Sequence, residues 1–128
     1  VIYLDTSVAL ALSRGRDRRP PVSLWQQPLI ASRLLHYEMW NRLHARKLAP
    51  AFFNDARQLI GRVDLIELAP PVLARALEPF PVPVRTLDTL HLASMEFLRA
   101  RGQPVELASY DERLIEAARA LGIAALAL

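Results

Sequence analysis

The chain opens on Val1-Ile2-Tyr3-Leu4, an apolar run that meets Asp5-Thr6-Ser7 directly. A strand that alternates apolar and polar residues can lie on an open sheet face. A continuous run must be covered on both faces, the condition of a strand inside a parallel sheet. Thr6 and Ser7 are residue types that start helices, and Val8-Ala9-Leu10-Ala11-Leu12 follows them. Asp5 is therefore expected where a strand's carboxyl end runs into a helix. In open α/β sheets, ligands bind along that edge. A simpler use for Asp5 is to complement the helix dipole, worth about 0.3–1 kcal/mol. Three later acids in similar settings weigh against that use alone.

The rest of the chain keeps alternating. Strands are expected at Leu29–Ala31, at Asp64–Ala69 nearer a sheet edge, at Val105–Ser109 and, briefly, over Ile123–Leu128. Between them, Ser32 is expected to cap a helix through about Arg46, whose Leu35, Met39 and Leu43 mark a buried face. Further helices are read over Pro50–Val63, Pro70–Leu77 and Leu87–Arg101, the last opened by Thr86 and closed by Gly102. A final helix runs to about Leu121. Phe80-Pro81-Val82-Pro83-Val84 is too proline-restricted for a central strand and reads as an extended connector. This order predicts an α/β fold: one domain over residues 1–128, with a central, mainly parallel sheet and helices on both faces.

Composition narrows the chemistry. The chain has 128 residues, 52% of them hydrophobic, enough for a proper core. It has no cysteine, which excludes disulfides and thiolate metal sites and fits a cytoplasmic setting. No apolar run approaches the ~18 residues of a membrane span, and the opening residues are not expected to be a signal peptide, lacking its basic-then-apolar order. The net charge is +3, and of 16 basic residues only Lys47 is a lysine. Arginine forks pair with phosphate oxygens as an ammonium cannot, so a polyanionic partner is expected. Arg14 and Arg16, in the arginine-rich loop before Pro20, and Arg85 are the candidates for holding phosphates of such a partner. For the loop arginines a solvated surface is the commoner fate.

Four acids resist an easy structural explanation. Asp5 and Asp111 each follow a strand, Asp88 opens a helix ahead of an apolar stripe, and Glu38 lies two turns into the second helix. The others have simpler uses. Asp17 lies among arginines, Glu96 is expected on the solvent side, and Ser109 with Glu112 has the capping-box order. His91 reads as a hydrogen-bonded packing residue, since no second histidine stands at ligand spacing. If the four acids converge, like charges 4 Å apart repel by about 4 kcal/mol at an effective dielectric of 20. A cation must then join them. All-oxygen donors select a hard ion, Mg²⁺ or Mn²⁺, and such ions can assist in-line attack on a phosphodiester.

Leu4-Asp5-Thr6-Ser7, His36-Tyr37-Glu38-Met39-Trp40, Arg85-Thr86-Leu87-Asp88-Thr89-Leu90-His91-Leu92-Ala93 and Ser109-Tyr110-Asp111-Glu112-Arg113-Leu114 together resemble the PIN-domain ribonucleases, and among them the VapC-type toxins. The resemblance covers nearly the whole chain. It implies a three-layer α/β/α sandwich and a Mg²⁺ or Mn²⁺ site built from Asp5, Glu38, Asp88 and Asp111, with supporting hydroxyls from Thr6 and Ser109. It further implies cleavage of RNA to 5′-phosphate and 3′-hydroxyl ends, a homodimer, and a cognate antitoxin that blocks the groove. The competing expectation is a non-catalytic RNA-binding or scaffold protein on the same fold. A dehalogenase-type phosphatase fits poorly, because position 7 is serine where a second aspartate is needed.

Overall fold

A computed structural model of the chain describes residues 1–12, 20–47 and 50–128. Arg14 and Arg16 therefore lie outside the described residues. Five strands form one sheet: β1 (Ile2–Leu4), β2 (Leu29–Ser32), β3 (Val63–Ile66), β4 (Glu106–Ala108) and β5 (Ala124–Ala125). The helices are α1 (Thr6–Leu12), α2 (Leu34–Ala45), α3 (Pro50–Gly61), α4 (Pro70–Ala76), α5 (Thr86–Ala100) and α6 (Glu112–Ala120), with a 3-10 turn at Val22–Gln26.

The strand order is β3-β2-β1-β4-β5, and every pairing is parallel. The chain builds outward from β1 through β2 to β3, then returns across the sheet to place β4 on the other side of β1. The order thus reverses between β1 and β4, the position where an open α/β sheet leaves a crevice at its carboxyl edge.

The pleat explains the layers. Ile2 and Leu4 point into one core with Val8, Leu35, Met39, Leu43 and Leu59. Tyr3, between them, points into a second core with Leu92, Met95, Leu98, Leu107 and Leu114. Successive strand residues face opposite ways, so α1–α3 cover one side of the sheet and α5 and α6 the other. The run Val1–Leu4 is apolar throughout because both sides of it are core.

Three local expectations need correction. The third strand begins at Val63, which pairs with Leu29, and ends at Ile66; the preceding helix ends at Gly61, with Arg62 alone between them. Glu96 does not face open solvent but pairs with Arg75 of α4 across 2.8 Å. Ser109 and Glu112 do not form a capping box. Asp111 caps α6 itself, its Oδ1 accepting from the backbone N–H groups of Arg113 at 3.0 Å and Leu114 at 3.3 Å. Ser32 does serve the start of α2, its hydroxyl accepting from Leu34 N at 2.9 Å. Among the described residues no helix is long and apolar enough to cross a membrane.

Candidate active site

The reversal between β1 and β4 places the candidate residues. Asp5 continues β1, its N–H donating to Ala108 O of β4 at 3.0 Å. Ser109 and Asp111 leave the end of β4, while α2 and α5 bring Glu38 and Asp88 from opposite layers. All four acids line one cleft of about 360 Å³, together with Ser7, Arg42, Arg85 and His91. The four acids thus share a cleft lining.

Asp5, Glu38 and Asp88 are each held through one oxygen, and Asp111 through both. Asp5 Oδ2 accepts from the Ser7 hydroxyl at 2.6 Å and from the Ser109 hydroxyl at 2.8 Å. Ser109 in turn accepts from Asp111 N at 2.9 Å, and Ser7 from Tyr110 N at 2.9 Å. Glu38 Oε1 accepts from Thr6 at 3.2 Å and from His91 Nε2 at 2.7 Å. Arg85 spans the other two acids, Nε donating to Asp88 Oδ2 at 3.0 Å and Nη2 to Asp111 Oδ2 at 2.7 Å. Asp5 Oδ1, Glu38 Oε2 and Asp88 Oδ1 have no hydrogen-bond partner among the described residues, and none of them is fully buried. Each carboxylate of that trio keeps one unengaged oxygen within reach of solvent.

The resemblance implied supporting hydroxyls from Thr6 and Ser109, and each touches an acid. Sequence reasoning treated Ser7 only as a helix starter, and it left His91 as packing. His91 is indeed buried and hydrogen-bonded, but its partner is a cleft acid. The only local signal was a polar residue on the buried stripe of α5.

Comparison with known proteins bears on what such a cleft is for. The family model described as PIN domain matches residues 2–120. The chain belongs to the PIN-domain family. Ribonuclease VapC35 of Mycobacterium tuberculosis is 29% identical over 133 residues, spanning 99% of this chain and 96% of its own length. Ribonuclease VapC46 of the same organism is 29% identical over 129 residues, spanning 98% and 96%. This PIN domain superposes on M. tuberculosis VapC20, a Sarcin-Ricin loop cleaving toxin, with a TM-score of 0.68 at 20% identity, covering 91% of this chain and 95% of that one. It matches VapBC2 from Rickettsia felis, solved with a promoter DNA fragment, with a TM-score of 0.69 at 14% identity, covering 98% of each. The structural matches speak for the fold.

The electrostatics of this PIN domain's cleft are tuned by neighbours. Burial pushes the Glu38 carboxyl up, but the hydrogen bond and charge of His91, the Thr6 hydroxyl and Arg42 outweigh it and hold the group below its ordinary value. Burial works against a charged His91, yet Tyr3 and Glu38 on its two nitrogens raise it well above 6.5. Hydrogen bonds to Asp88 and Asp111 raise Arg85 further. Four carboxylates and the guanidiniums of Arg42 and Arg85 leave the cleft formally at −2, or −1 with His91 protonated.

The donor set suits a hard divalent ion, being all carboxylate oxygen with unengaged atoms near solvent. Among the described residues, however, no three Asp, Glu or His side chains stand close enough to hold one. Arg85 bonds to Asp88 and Asp111 at once. The Arg85 side chain is 56% exposed, while Asp88 is 10% and Asp111 30% exposed.

Proposed function

We propose that this PIN domain is a Mg²⁺- or Mn²⁺-dependent endoribonuclease, the toxin of a toxin–antitoxin pair acting in the cytoplasm. The observation that carries the proposal is the gathering of Asp5, Glu38, Asp88 and Asp111 from four separate elements onto one cleft at the sheet's switch point. The kinship to VapC ribonucleases points the same way. Asp5, Glu38, Asp88 and Asp111 would hold the ion, which when bound supplies the positive charge that favours attack of water on a phosphodiester. The protein's own contribution is positional. Ser7 and Ser109 fix Asp5, Thr6 and His91 fix Glu38, and the backbone N–H groups opening α6 fix Asp111. Water adds across the P–O3′ bond, giving a 5′-phosphate and a 3′-hydroxyl. Arg85, exposed at the mouth, is the arginine of this cleft best placed to meet an RNA phosphate once freed from the acids. The arginine-rich loop with Arg14 and Arg16 is a second RNA contact in this proposal. The partners proposed are RNA, a second copy of the chain in a homodimer, and an antitoxin.

The test is cleavage of total cellular RNA by purified protein with Mn²⁺ or Mg²⁺, and with chelator. Metal-dependent cleavage that Asp5→Asn abolishes, together with growth arrest on expression, is the expected result. RNA binding without cleavage in any metal would favour the non-catalytic reading instead.

A further inference from the structure

Below the cleft lies a buried polar chain that the acids alone do not account for. Tyr3, at the middle of β1, is fully buried, and His91 on α5 is 2% exposed. Tyr3 lies in a cluster with Leu92, Met95 and Leu107, and an unsatisfied polar group in such a core costs about 1–3 kcal/mol. Here the groups satisfy one another. Ser32 N donates to the Tyr3 hydroxyl at 3.3 Å, and that hydroxyl lies 2.7 Å from His91 Nδ1. The two rings meet edge-on, with centroids 5.9 Å apart. The far side of the imidazole, Nε2, is 2.7 Å from Glu38 Oε1. A carboxylate oxygen can only accept, so Nε2 carries the proton whatever the state of Nδ1.

The chain of bonds does something packing does not require. Glu38 comes from the helical layer of α2, and His91 from the opposite layer on α5. Their hydrogen bond joins the two layers over the carboxyl end of the sheet. It also breaks the equivalence of the two Glu38 oxygens: Oε1 is engaged twice, by Thr6 and His91, while Oε2 has no hydrogen-bond partner. A glutamate has three side-chain torsions to restrain, and a buried ring anchored at its other end is a stiff restraint.

We propose that His91, anchored by Tyr3, is a positioning residue: its Nε2–H pins Oε1 of Glu38 so that Oε2 is presented to a divalent cation in the cleft. This rests on the reading of Glu38 as a metal-holding acid. Groups that orient a ligating side chain typically change metal affinity by about 10–100-fold when removed.

The experiment is calorimetric titration of Mn²⁺ into the full chain without RNA. His91→Asn keeps a polar group near Tyr3 but is too short to reach Glu38, whereas the longer His91→Gln places an amide N–H near the position of Nε2. His91→Asn is expected to weaken Mn²⁺ binding by about 10–100-fold, with His91→Gln recovering most of the loss. In a double-mutant cycle, His91→Asn added to Glu38→Gln is expected to cost nothing further, because it acts through Glu38. Full additivity in the cycle, or wild-type Mn²⁺ affinity in His91→Asn beside a weakened Glu38→Gln, overturns the role of His91 alone. Wild-type Mn²⁺ affinity in Glu38→Gln overturns the reading of the site, and the role of His91 with it. Thermal melts of the metal-free variants separate these outcomes from a loss of fold, which would lower stability without the Asn-to-Gln recovery.

Discussion

Arg85 and Asp111 are 26 residues apart in the chain, yet Arg85 Nη2 donates to Asp111 Oδ2 at 2.7 Å while its Nε holds Asp88. One guanidinium therefore neutralises two of the four cleft acids, and it competes with any ion that needs the same oxygens. Arg85→Gln removes the competitor but keeps a polar side chain. It is expected to bind Mn²⁺ about tenfold tighter, the equivalent of about 1.4 kcal/mol. The metal-free variant should melt slightly lower, because Asp88 and Asp111 lose their shared counter-charge. The rise in melting temperature on adding Mn²⁺ should therefore exceed that of the wild type. Weaker Mn²⁺ binding in Arg85→Gln would show that Arg85 assembles the site instead of competing for it.

Asp5 and Asp88 are the cleanest probes of the acids. Each is 7% exposed and each leaves one oxygen unengaged. Asparagine preserves size and can still accept from the Ser7 and Ser109 hydroxyls at position 5, or from Arg85 at position 88. Asp5→Asn and Asp88→Asn are expected to fold normally and to lose RNA cleavage by at least about 100-fold, within the range of lost electrostatic stabilisation. Gel-based cleavage assays beside circular-dichroism melts check both halves of the statement. Undiminished cleavage in both variants would remove the acids from the chemistry.

Asp111 serves two purposes, and two substitutions pull them apart. Its Oδ1 caps α6 and its Oδ2 faces Arg85. Asparagine is as good an N-cap as aspartate, whereas alanine costs about 0.5–2 kcal/mol. Asp111→Asn should keep the wild-type melting temperature within a degree or so, and Asp111→Ala should lower it. Both should lose cleavage. Equal melting temperatures for the two variants would mean that the cap contributes nothing measurable.

What the sequence showed, and what it hid, follows the range of the interactions. Val1–Leu4 running into Asp5 is a local pattern, and the strand, the helix start and the position of Asp5 follow from it. Leu35, Met39 and Leu43 announced the buried face of α2 by their spacing. At the start of α6 the local code misleads: Ser109 and Glu112 match a capping box, but the chain turns two residues later. Asp111 takes the cap, and the Ser109 hydroxyl bonds to Asp5, 104 residues away. The end of α3 and the start of β3 were misplaced because Val63 suits either element, and its pairing with Leu29 decides. No local pattern could reveal that Arg85 bridges two acids or that Tyr3 reaches His91. Those contacts exist only because the sheet order sets β1 beside β4 and brings α2 and α5 together at its edge.

The Glu38–His91 pair should leave a signature in stability against pH. Folding lowers the Glu38 pKa from 4.5 and raises that of His91 well above 6.5. A carboxyl whose folded pKa is depressed contributes stability above its unfolded pKa and loses it as pH falls through the folded value. A histidine whose folded pKa is raised contributes fully below its unfolded pKa and loses that contribution as pH climbs through the folded value. The pair is therefore strongest between these limits, from about pH 5 to pH 6.5, and weaker on either side. Their side chains are only 14% and 3% exposed, so salt should screen the effect little. The measurement is the difference in melting temperature between wild type and Glu38→Gln across pH 3.5 to 9, in chelator so that no divalent ion contributes. A maximum between those limits is expected. A difference that stays flat across the series would mean that Glu38 and His91 titrate independently, and that their hydrogen bond does not couple the two layers.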